Sequence, residues 1–61
     1  MNGKEAVKRL AEHGFAVVRS KGSHWMLANG HRKVTVPIHG SADLKIGTLK
    51  SIEKQAGVKL R

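Results

Sequence analysis

The absence of cysteine from a chain of 61 residues is the strongest constraint on what this sequence can fold into. A domain this short sits near the lower size limit for independent folding, and the usual supplements are disulfides or a thiolate-held metal. Neither can be built here. The apolar residues must supply one thin core, with nearly every Val, Leu, Ile and Phe committed to it and few spare to line a ligand pocket. Residues 1–61 leave room for one domain and no linker. A reducing compartment is permitted, and the cytoplasm is the expected location. No stretch approaches the roughly 20 apolar residues of a membrane span, and the amino terminus lacks the apolar block of a signal peptide.

The pattern along the chain shows how that core is assembled. Asn2 followed three residues later by Glu5 predicts a capping-box start, and Ala6, Val7, Leu10 and Ala11 then share one helical face. Gly14 supplies a left-handed stop, so a first helix is expected from about Gly3 to His13. Phe15-Ala16-Val17-Val18-Arg19 is rich in strand formers, Ser20-Lys21-Gly22-Ser23 turns the chain, and Trp25-Met26-Leu27 is a second apolar run. Asn29-Gly30 closes a tight hairpin onto Lys33-Val34-Thr35-Val36, whose alternation points Val34 and Val36 inward; Pro37 ends that strand because it has no N–H for the ladder. After a polar connection, His39-Gly40-Ser41-Ala42-Asp43, the residues Leu49, Ile52 and Ala56 recur at helical spacing from about Ile46 to Ala56, with Gly57 as stop. The predicted class is α+β, in the order α-β-β-β-α, with a three-stranded antiparallel sheet. So short a chain can bury only one sheet face, and both helices are expected on it.

Charge indicates the partner. Twelve Lys and Arg against four acids give +8 with the histidines neutral. A polyphosphate fits such a surface, because neutralising phosphates releases condensed counterions. No membrane partner is expected, since the basic residues are scattered rather than gathered on one helix face. The plain alternative is charge that keeps a small domain soluble. Trp25 can stack a base or fill a core, and Lys45, Lys50 and Lys54 on the polar side of the second helix can track phosphates or simply be solvated.

Few chemistries are open to this composition. Thiol catalysis is excluded, Asp43 is the lone aspartate, and adjacent Ser23 and His24 point to opposite faces of a strand, which argues against a serine triad. The four histidines, His13, His24, His31 and His39, contain no helical i, i+4 pair for zinc, so no metal and no cofactor are expected. What remains is imidazole beside Lys and Arg, the minimal set for cutting RNA. A base that titrates near neutrality takes the 2′-hydroxyl proton, the oxygen attacks phosphorus, and cations stabilise the developing charge. His24 is best placed, at the opening of the second strand after the Gly22-Ser23 turn, with Lys21 and Arg19 nearby. A half-exposed strand residue with no chemical role is the other reading of His24. His39 is a second proton carrier or a loop residue, His13 a cation at a helix end, and His31 a solvated hairpin residue.

The sequence resembles the HicA-type mRNA interferase toxins. The resemblance is carried by Asn2-Gly3-Lys4-Glu5, Gly14-Phe15, Lys21-Gly22-Ser23-His24, Lys33-Val34-Thr35-Val36-Pro37 with His39-Gly40, and Gly47-Thr48-Leu49-Lys50-Ser51-Ile52 with Gln55-Ala56-Gly57, collinear over nearly the whole chain. It implies a double-stranded-RNA-binding-domain-like fold and a ribosome-independent endoribonuclease that acts on messenger RNA and is held inactive by a HicB-type antitoxin. The family's catalytic histidine maps onto His24, and Arg19, Lys21, Gly22, Ser23 and Lys45 become the expected RNA contacts. The free chain is expected to be monomeric. Many members carry a second histidine directly after the first, where this chain has Trp25. The competing expectations are a non-catalytic module that recognises structured RNA by shape and charge, and a basic domain that docks an acidic protein.

Overall fold

Helix α1, Gly3–Glu12, begins on a reciprocal pair of hydrogen bonds. The Asn2 side chain accepts from the Glu5 N–H at 2.9 Å, and the Glu5 carboxylate accepts from the Asn2 N–H at 3.2 Å. Two donors that every helix start leaves bare are thereby satisfied. The computed structural model describes all 61 residues. The helix ends one residue before the expected His13, which is its C-cap and whose Nδ1–H donates to the Arg9 carbonyl at 2.9 Å.

Three antiparallel strands follow, β1 (Ala16–Lys21), β2 (His24–Asn29) and β3 (Arg32–Pro37), side by side in chain order, and helix α2 (Ile46–Ala56) closes the sequence of elements. The strands run longer than the apolar runs alone suggest. β1 continues through Lys21 because a two-residue turn, Gly22-Ser23, suffices to reverse the chain. Gly22 has φ +57 and no non-glycine residue has positive φ, which is the sign pattern of the hairpin turn that favours glycine at its first central place. The second hairpin turns at Gly30-His31 rather than Asn29-Gly30. Asn29 stays in the ladder opposite Arg32, and its Nδ2–H donates to the His13 carbonyl at 3.1 Å. Phe15 belongs to the core and not to β1, and Pro37 is the last paired residue of β3, where a missing N–H does least harm.

Pleating sorts the sheet into two faces. Leu27, Val34 and Val36 are buried on one face beneath Ala6 and Leu10 of α1 and Leu49, Ile52 and Ala56 of α2, with Phe15 and Leu60 completing a single cluster of ten side chains. Both helices therefore share one face. Trp25 lies half-buried against this cluster, so it fills space on the covered side and does not stand on the open one. This is the α+β arrangement of double-stranded-RNA-binding domains. No helix is long and apolar enough to cross a membrane.

The ends of the chain are tied into this layer. The Leu44 N–H donates to the Met1 carbonyl at 2.8 Å, and the terminal ammonium lies 3.4 Å from Asp43, so the 38–45 connection is held against the start of α1. Gly3 is buried there because its backbone passes directly over the Pro37 carbonyl, and a Cβ would also meet the Ile38 side chain at 2.9 Å. At the other end the Glu53 carboxylate accepts from the Leu60 N–H at 2.8 Å and from the Arg61 guanidinium at 3.4 Å. The Leu60 backbone donor holds the Glu53 carboxyl below its ordinary range, with Arg61 adding to the effect.

Gly3→Ala is expected to lower stability by about 1–3 kcal/mol through this overlap, read as a reduced thermal midpoint with the circular dichroism spectrum retained. Because the pKa of Glu53 is depressed on folding, its contribution is present above the ordinary carboxylate range and is lost as pH falls through the depressed value. Hydrogen exchange at the Leu60 amide should accordingly gain an acid-induced loss of protection, and Glu53→Gln should remove that pH dependence.

Candidate active site on the open sheet face

The uncovered face of the sheet is set by the same register that builds the core. His24 lies opposite Lys21 on one side and Pro37 on the other, Met26 lies between Arg19 and Thr35, and Ala28 lies between Ala16 and Lys33. Opposed residues of antiparallel strands share a face, so Arg19, Lys21, His24, Lys33 and Thr35 are gathered on one surface with no helix above them. All five are exposed.

A break in the regular pleat makes this possible. In an unbroken strand Val17, Arg19 and Lys21 would share one face. Val17 pairs with Leu27 and Arg19 with Met26, which leaves Val18 as the extra residue of a β-bulge. Val17 is thus registered with the covered side, whereas Arg19 and Lys21 are registered with His24. The glycine turn fixes the Lys21–His24 end of the hairpin, and the bulge absorbs the mismatch toward Phe15.

These residues enclose a shallow open recess of about 590 Å³, lined by Arg19, Lys21, Gly22, Ser23, His24, Met26 and Thr35. Its size suits a ligand on the scale of a nucleotide. Four of the five expected RNA contacts, Arg19, Lys21, Gly22 and Ser23, meet there around the expected catalytic His24. Two cationic side chains and an imidazole face no carboxylate in this recess, so its field favours an anion. At Gly22 nothing lies within 4 Å of the position a Cβ would take, so backbone is open to close approach by a phosphate.

Lys45 is placed elsewhere. It is the exposed N-cap residue of α2, makes no capping bond with its side chain, and borders a separate recess with Pro37, His39, Asp43 and Thr48. His39 is in that second recess and not in the first. Pro37, directly opposite His24, forms part of its wall, and the Ile38 N–H donates to the Ser23 carbonyl at 2.6 Å. The loop carrying His39 therefore leaves the sheet against the turn that precedes His24. His13 and His31 are exposed and remote from both recesses, at the end of α1 and in the second hairpin turn.

Thr35 and Met26 are the lining residues that sequence reasoning missed. The inward signature of Val34 and Val36 already implies that Thr35 points outward, and the pairing register then places it beside Met26. With this geometry in place, a family model described as the HicA toxin of bacterial toxin-antitoxin matches residues 3–58. No curated protein matches the chain.

Proposed function

The chain belongs to the HicA toxin family, and we propose on that premise that it is a ribosome-independent endoribonuclease, an mRNA interferase, in which His24 carries acid-base catalysis. The family is one of toxins from toxin-antitoxin systems that are generally ribonucleases, and it implies a cognate antitoxin. The observation that carries the finer reading is the joint placement of Arg19, Lys21 and His24 around one recess on the open sheet face, beside a glycine turn. Residues 1–61 act in this reading as one domain that both holds and cuts RNA in the cytoplasm, monomeric until a HicB-type antitoxin neutralises it.

The reaction follows from the side chains present. The neutral imidazole of His24 accepts the proton of a ribose 2′-hydroxyl, the 2′ oxygen forms a bond to the adjacent phosphorus, and the bond from phosphorus to the 5′ oxygen breaks. Charge that builds on the non-bridging oxygens is met by the Lys21 ammonium and the Arg19 guanidinium, aided by backbone N–H groups of the Gly22-Ser23 turn. The leaving 5′ oxygen takes a proton from a second donor, for which we propose His39, which lines the adjoining recess beyond Pro37 and is carried by the loop that starts at the bond from Ile38 to Ser23. The products are a 2′,3′-cyclic phosphate and a 5′-hydroxyl. DNA lacks the nucleophile and is not cut by this route.

RNA cleavage by wild type and His24→Ala, run in parallel with a magnesium chelator and followed by end-group analysis of the fragments, tests the assignment. The variant should lose cleavage by a factor of roughly 10² or more while its circular dichroism and RNA affinity stay close to wild type. Full residual activity in that variant would overturn the role of His24, and RNA that shifts on a gel yet stays intact with wild type would favour a binding module without catalysis. Replacing Arg19 and Lys21 by Ala should weaken binding to single-stranded RNA and flatten the log-log salt slope by about 0.7 for each phosphate that is no longer neutralised. Lys45→Ala, outside the recess, should leave the cleavage rate of short RNAs unchanged.

A further inference from the structure

The two edges of the sheet are treated very differently. Along β3, the Gln55 side chain of α2 accepts from the Thr35 N–H at 3.3 Å, and Arg32 donates to the Gln55 carbonyl at 3.3 Å, so this edge is guarded by the helix beside it. Along β1 there is no such guard. All six of its residues are exposed, and beyond the ladder to β2 no hydrogen bond involves Ala16–Lys21. An open edge of this length is a template for another strand.

The side chains on β1 describe what would pair there. Val17 and Val18 are 45% and 60% exposed, two of only three large apolar residues left so open in the chain, and they are adjacent on the free edge. Next to them Arg19 and Lys21 point to the His24 face. A second copy of this chain is a poor occupant, because it would bring the same two cations and a net charge of +8 against their own kind. An extended acidic strand complements both features, with apolar side chains against Val17 and Val18 and carboxylates against Arg19 and Lys21.

We propose that the antitoxin inhibits by adding an acidic β-strand to the free edge of β1, which occupies Arg19 and Lys21 and so removes the phosphate contacts beside His24. This rests on the toxin–antitoxin reading above. Strand addition supplies main-chain hydrogen bonds for affinity, and the alternating side chains supply selection for acidic sequence. The Val18 bulge interrupts the edge at its midpoint, so the half that adjoins the site, Arg19–Lys21, is where an added strand does most to the recess.

Amide hydrogen exchange of the chain, free and in complex with its antitoxin, tests this directly. Edge amides within Val17–Lys21 should slow by about tenfold or more in the complex. Val18→Glu, which sets a carboxylate against the carboxylates of the added strand and lies outside the catalytic recess, should raise the dissociation constant by about tenfold while the free chain cleaves RNA as before. Unchanged exchange across β1, unchanged affinity in Val18→Glu, a free chain that dimerises through β1, or the absence of any complex would each overturn the proposal. A chain that cleaves RNA but leaves β1 unprotected in the complex overturns strand addition alone. Protection of β1 with no cleavage by the free chain overturns the nuclease reading and leaves the docking surface in place.

Discussion

Leu10 of α1, Ile52 of α2, and Leu27, Val34 and Val36 from the sheet are each buried to within 2% of complete exclusion from water, and everything else in this molecule is arranged around that contact. Each fully buried aliphatic side chain contributes roughly 1.5–3 kcal/mol by leaving water. With neither a disulfide nor a thiolate metal site available, this one layer must offset most of the conformational entropy lost on folding. The cost is geometric. Both helices are used on the same face, and the opposite face is left bare.

A bare face in a chain with three times as many basic as acidic residues carries a field that favours anions, but scattered charge does not make a site. What concentrates it is local backbone geometry. The Gly22-Ser23 turn fixes Lys21 opposite His24, the bulge at Val18 brings Arg19 to the same side, and the bond from Ile38 to Ser23 anchors the turn to the end of β3. None of these contacts is strong alone. Together they place three titratable side chains on rigid strands, where they are better oriented than on a free loop.

The fold was legible in the sequence wherever one local pattern decided it. Asn2 and Glu5 announced the first helix, the alternation around Val34 and Val36 announced the buried face, and Leu49, Ile52 and Ala56 located α2 to the residue. Strand ends were less legible, because Ser20, Lys21 and Asn29 are turn-formers by composition and join the ladder only through pairing partners remote in sequence. The recess was partly legible. Arg19, Lys21, Gly22, Ser23 and His24 are nearly contiguous, so proximity in sequence became proximity in space. Thr35 was not, since its place depends on register across β2, and the position of Lys45 outside the recess was not legible either, because its charge alone said nothing of where it lies. The bulge left no trace in the sequence, as Val17-Val18 reads equally well as two regular strand residues.

The single hydrogen bond from the Thr35 N–H on the edge of β3 to the Gln55 side chain has an effect on assembly that its modest strength conceals. Growth of stacked sheets into fibrils needs two open edges, one to receive a chain and one to offer to the next. Here one edge is closed by the chain's own helix. A second copy that offered its β3 edge to β1 would have to displace Gln55 from the Thr35 N–H, so head-to-tail growth of this sheet is opposed by the chain's own helix.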